Sequence, residues 1–291
     1  MVPTRKYELY HDESKEGGFH HGILFIPEDK RDKIIQCLKL IRTAHKVNKD
    51  INIKYAGCFG KKKIGPMVRS NLALFSHAIQ SKCKSTPLYN ITEREKHTGE
   101  FKCFHELTDS FDCRFGLLRI EDNFKGFGSK TYKEKVELTM KFLVKGCCHA
   151  MFDENHPIEI VKAYFDGDEH HGDDIDINAI FKTDFRKYIM ISDKLKVDSR
   201  HIKQRKDDTL LVMNLIDNVV GGFRSLLNRE SDKTNILAPL KEIYQRISQK
   251  KIFANKNGRW YKSICFSELI VENGNIEFVN ICRDKTQLKL L

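Results

Sequence analysis

Three aspartates stand where apolar neighbours dominate. Asp12 closes the strand-like run YELYHD, Asp166 closes IEIVKAYFD, and Asp217 interrupts the apolar run TLLVMNLIDNVVGGF. An ionised carboxylate in such surroundings is costly unless it is paired, hydrogen-bonded or bound to a metal. On a helix, Asp217 shares a packed face with Met213, Val220 and Gly221. Two strand-end carboxylates and one on a helix facing the sheet can converge on a point above the strand ends. Carboxylate oxygens there suit a hard cation such as Mg²⁺ or Mn²⁺, which keeps several waters and takes phosphate oxygens as well. A pair of such ions activates a water and stabilises the leaving oxygen of a phosphodiester. Each aspartate also has a plainer reading. Asp12 fits a turn, Asp166 fits a loop cap, and Asp217 fits a bond to a buried backbone group or a basic partner.

Other reactive types gather nearby. Glu13 follows Asp12, and the loop DGDEHHGDD (166–174) carries Asp168, Glu169, His170 and His171. Neighbouring residues on an extended chain point to opposite sides, so His170 and His171 do not share one ion. A solvated acidic loop accounts for most of these residues, and Asp168 is the one expected to join a metal site. His11, His20 and His21 flank the first motif and have the chemistry to move protons or touch phosphate. His20 and His21 lie on opposite faces of a strand, so at most one of them faces the site. Ser14 has no GxSxG elbow, no cysteine stands in a catalytic signature, and neither GxxxxGK[ST] nor GxGxxG occurs; FKGFGSK does not lead from a strand into a helix as phosphate loops do.

These residues need elements to position them. Runs 6–12 and 19–26 alternate as strands around Gly17-Gly18 and predict a hairpin. Helical spacing of Ile34, Ile35, Leu38, Ile41 and Ala44 predicts a helix from Glu28 to about Val47. INIKYAG (51–57) reads as a short strand, and Pro66 opens a helix to about Lys82. Within 85–128, a possible insertion, CRFGLLRIE (113–121) reads as a strand. A helix is expected over 131–152, a central strand over 158–166, and a short helix near 177–187. Strands follow near 188–192 and 195–199, then a helix over 208–228 capped by Asp207 or Asp208, and another over 236–250. ENGN (272–275) between apolar runs marks a final β-hairpin, and Gly221-Gly222 is expected to let the aspartate-bearing helix approach the sheet.

Taken in order, LYHDES…GGFHHGILFI, NIKYAG, VKAYFDGD, VDSRHIKQ and LLVMNLIDNVVGGF resemble the ribonuclease-H-like family catalogued as domain of unknown function 3800. Its members open on a strand ending in Asp-Glu-Ser. They continue with a lysine-bearing strand, a later strand ending in Asp, an Asp-Ser-basic stretch and a helix with a Leu-x-x-Ala-Asp-like core. The resemblance spans about residues 6–228. It implies a ribonuclease-H-like mixed sheet flanked by helices and a metal-dependent nuclease, with bacterial defence as a role in some relatives. Asp12, Asp166 and Asp217 match the acidic positions, Lys54 the lysine, and Ser199-Arg200 the late polar pair. Asn52 stands where many relatives have Glu, Lys15 where a glycine follows Asp-Glu-Ser, and Ile216 where Ala precedes the helical aspartate. Sites of this type commonly use four carboxylates, and Glu13 or Asp168 is needed to supply the fourth.

The totals agree with a basic globular α/β protein. The chain has 291 residues, 40% hydrophobic and 31% charged, with a formal net charge of +11. Excess Lys and Arg, gathered at Lys61–Lys63 and in RHIKQRK (200–206), favour a polyanionic partner, DNA or RNA. A homodimer or a protein partner is also compatible. No apolar stretch is read as approaching the roughly 20 residues that cross a bilayer, and MVPTRKYELYHDE lacks the core of a signal peptide. Nine scattered cysteines, never spaced as CxxC, suit reduced thiols and a cytoplasmic protein with no membrane contact. The expected organisation is a ribonuclease-H-like domain over 1–230 and a carboxy-terminal extension over 231–291 packed on it. The expected activity is phosphodiester hydrolysis at an aspartate-held Mg²⁺ or Mn²⁺, with Asp12, Asp166, Asp217, Lys54 and Glu13 catalytic and Asp168 a further ligand. Two alternatives are a non-catalytic nucleic-acid-binding or scaffold protein with the same fold, and a small-molecule phosphohydrolase using the acidic-histidine loop.

Overall fold

Alternation of apolar residues in β1 (Arg5–Ser14) and β2 (Phe19–Pro27) serves two cores at once. Tyr7, Leu9, Ile23 and Phe25 pack on one face of the sheet, and Tyr10, Leu24 and Ile26 on the other. The computed structural model describes residues 4–14, 18–58, 63–79, 111–120, 130–152, 157–166, 189–228, 235–248, 263–272 and 275–280. Its helices are α1 (Arg31–Ala44), α2 (Ile64–Ala78), α3 (Tyr132–Met151), α4 (Thr209–Leu227) and α5 (Ala238–Ser248). The other strands are β3 (Arg114–Ile120), β4 (Ile158–Tyr164), β5 (Ile189–Asp198), β6 (Ile264–Glu272) and β7 (Asn275–Asn280).

All seven strands form one mixed sheet in the order β5-β4-β1-β2-β3-β6-β7. β1, β2 and β3 are antiparallel in sequence, β4 and β5 run parallel to β1, β6 runs parallel to β3, and β7 closes a hairpin with β6. Helix α3 covers one face through Val136, Met140, Leu143, Val144 and Cys147. Helices α1, α2, α4 and α5 cover the other, with Phe75, Phe115, Phe223 and Phe266 interlocked at its centre. Thr131 and Glu134 start α3 with a reciprocal capping box. The Asp207 carboxylate accepts from Thr209 N–H at 3.0 Å to start α4. Cys37, Cys58, Cys113, Cys147 and Cys265 are buried.

One irregularity re-aims the end of β4. The β1–β4 and β4–β5 registers both shift around Val161. Before the shift Ile158 and Ile160 face α3; after it Lys162 and Tyr164 face the α4 side, where Lys162 binds Glu8 and Tyr164 stacks on Tyr10. On β5 the residues 192–195 stand opposite this single position, which is why the sequence reads as two short strands where the structure has one.

Other expectations change. Residues 51–54 are not in the sheet, and Tyr55–Gly57 form a 3-10 turn instead of a strand. Gly22, not the glycine pair of α4, lets that helix approach the sheet: a Cβ on Gly22 would stand 2.3 Å from Val220 Cγ2. Gly221 instead makes room for Tyr55 and Gly222 for Leu240 of α5. By length and composition α4 is apolar enough to cross a membrane, contrary to the sequence reading, but it lies largely buried in this core. The residues beyond 230 supply β6, which pairs with β3 inside the same sheet, and α5, whose Leu240 and Ile243 enter the α4-side core. The helix expected near 177–187 and most of the possible insertion lie outside the described residues.

Candidate functional site: carboxylates of β1, α4 and the end of β4

The parallel pair Tyr10↔Tyr164 fixes the level of the strand ends. Asp12 and Asp166 each lie two residues beyond it, on adjacent strands. Both follow the α4-side alternation of Tyr10 and Tyr164. Asp12 is paired with Gly22, the residue against which Val220 of α4 packs. Asp166 Oδ1 accepts from Ile202 N–H at 2.9 Å. Without the shift at Val161, Asp166 would face α3, away from Asp12.

Asp217 reaches the same region from α4. Its Oδ2 accepts from Tyr55 N–H at 2.5 Å and from Asn218 Nδ2 at 3.3 Å. Burial pushes its carboxyl up to about 6; the Tyr55 bond, the Lys54 ammonium and the Asn218 bond pull it back, and the Asp166 charge adds to the rise. Lys54 Nζ stands 3.8 Å from Asp166 Oδ2.

Helix α4 holds the lysine-bearing segment in place by side chains. Asn214 Oδ1 accepts from Ile53 N–H at 2.5 Å, Asn218 Nδ2 donates to Ile53 O at 3.3 Å, and Asn71 Nδ2 donates to Asn218 Oδ1 at 3.0 Å. Together with Asp217, these amides satisfy backbone groups that a strand neighbour would otherwise satisfy. Sequence reasoning missed Asn214 and Asn218. Their signal was present as three polar residues, 214, 217 and 218, on one side of an apolar helix.

The structure does not bring Glu13 to this site. Strand alternation turns it to the α3 side, where its Oε2 lies 3.5 Å from His21 Nδ1. His21 Nδ1 is also 3.2 Å from His11 Nε2, and the His11 ring packs 5.4 Å from Phe165. His20 takes the α4 side, as expected of one of the two adjacent histidines; burial depresses it to about 4, so it is neutral. Ser14 Oγ accepts from Arg224 Nη1 at 3.2 Å. Asp168, His170, His171, Lys61 and Lys62 lie outside the described residues.

The basic run at 200–206 is partly internal. Arg205 is wholly buried and donates to Asp198 Oδ2 and to the carbonyls of Phe165, Asp198 and Arg200. Arg200 bridges Asp198 and Asp207 at 2.8 Å each. These cations hold Asp198 at about 2 against its burial, and tie the 198–207 loop beneath Asp166. Lys203 and Lys206 remain as exposed charges of this run.

Among the described residues no three His, Cys, Asp or Glu side chains stand together as a ready metal centre. The donor chemistry is that of the oxygen ligands a hard cation takes: Asp166 and Asp217 lie within electrostatic reach of each other, and Asp12 stands on the same face of the sheet. No family model matches the chain, and neither the curated proteins nor the solved structures give a match.

Proposed function

We propose that this protein is a ribonuclease-H-like, divalent-metal-dependent nuclease acting on nucleic-acid phosphodiesters. The observation that carries the reading is that Asp12 in β1 and Asp166 just past β4 each lie two residues beyond the parallel pair Tyr10↔Tyr164, under the α4 that brings Asp217. The mixed sheet with helices on both faces, and the net charge of +11, support it further. Asp12, Asp166 and Asp217 would hold Mg²⁺ or Mn²⁺, which supplies an activated water and stabilises the leaving oxygen. Asp217 keeps one oxygen on Tyr55 N–H, which fixes the carboxylate's orientation and the neighbouring Lys54. Lys54, half-exposed beside Asp166, is placed to touch a phosphate oxygen.

A second reading has an observation of its own. Glu13 faces His21 across the sheet, which leaves three described carboxylates for a site type that commonly uses four. A non-catalytic nucleic-acid-binding protein with this fold would look the same. Calorimetric titration with Mn²⁺ separates the two. The nuclease reading predicts binding that is lost in Asp12→Asn and in Asp166→Asn. Absence of binding in the wild type, or binding indifferent to both substitutions, would refute it.

A further inference from the structure

Lys54 stands where a positive charge is needed. Its ammonium is 3.8 Å from Asp166 Oδ2, and it acts on Asp217 in the sense opposite to Asp166. Its backbone cannot follow its side chain. On one side Ile53 is held at both N–H and O by Asn214 and Asn218, and on the other Tyr55 N–H is held by Asp217. The next residues are locked in a 3-10 turn, with Gly57 N–H donating to Lys54 O at 3.1 Å. The side chain, by contrast, is 43% exposed. Lysine is suited to such a part, being a compact, hydrated point charge on a flexible stem.

We propose that Lys54 sets the cation affinity of this site by competing for it: its ammonium neutralises the carboxylates of the metal-free protein and turns out to solvent when a divalent ion binds. The inference rests on the carboxylate-site reading above and deepens it. A displaced ammonium stays tethered at the site's edge, where a substrate phosphate would meet it. No bond is made or broken; one cation replaces another, and the net charge of the site rises by one.

The test is Mn²⁺ titration calorimetry on the full chain with wild type, Lys54→Met, Lys54→Gln and Lys54→Arg. Lys54 is half-exposed, and melting curves establish that each variant is folded. Removing the competitor should tighten Mn²⁺ binding about fivefold or more in both neutral variants, the factor for one ion-pair contact in water at this distance. Lys54→Arg, which keeps the charge, should stay within about twofold of wild type on the same scale. Equal or weaker binding by the neutral variants, or an equal gain in Lys54→Arg, overturns the inference and leaves the nuclease reading standing. No Mn²⁺ binding by any of the proteins overturns both.

Discussion

Asp217 is the buried carboxylate that ties α4 to the 53–55 segment. Its carboxylate holds the Tyr55 backbone, and burial pushes its pKa up to about 6. The folded state therefore binds this proton more tightly than the unfolded chain, whose carboxyl titrates near the ordinary aspartate value of about 4. Its contribution to stability is present below the unfolded value and is lost as pH rises through about 6. Asp217→Asn keeps an acceptor for Tyr55 N–H and removes the titration. The melting-temperature gain of this variant over wild type should grow between about pH 4 and about pH 7.5. A gain that stays flat or shrinks over that range contradicts the environment described for Asp217. The sequence marked Asp217 through its apolar neighbours, and offered both a metal role and a backbone bond. It could not assign Glu13, because a single step along a strand reverses the face, and that step is invisible without the register.

At the scale of elements, the site depends on how closely α4 lies on the sheet. Gly22 allows this, with Val220 filling the space a side chain would take. Gly22→Ala should cost about 1–3 kcal/mol by overpacking, read as a lower urea midpoint at an unchanged slope. Val220→Ala in the same chain should recover part of that loss, since the two positions share one contact. Full additivity of the two substitutions would place the strain elsewhere. Most elements were legible, because β2 and α4 are apolar runs buried along nearly their whole length and α3 spaces Val136, Met140, Leu143, Val144 and Cys147 as a helix does. Two were not. INIKYAG has the composition of a strand, but α4 amides take its backbone bonds, a tertiary choice that local propensity does not encode. The shift at Val161 was equally hidden, since a bulge is defined by the partner strand, and it decides which way Asp166 faces.

For the whole molecule, one sheet joins everything described, from β5 to the hairpin β6–β7. Residues beyond 230 complete that sheet beside β3, so the carboxy-terminal part shares the core of the carboxylate site. The positive charge read from composition is spent unevenly. Arg205 and Arg42 are internal, each tying a loop through backbone carbonyls, whereas Lys203 and Lys206 stay exposed. Composition reports the sum and not this division. The central claim is that the carboxylates of β1, β4 and α4 act together on a phosphodiester. Its most direct measurement incubates wild type and Asp166→Asn with single- and double-stranded DNA and RNA in Mg²⁺ or Mn²⁺. The account predicts metal-dependent cleavage of at least one substrate by the wild type and none by Asp166→Asn. Equal cleavage by the two proteins, or none by either, contradicts it.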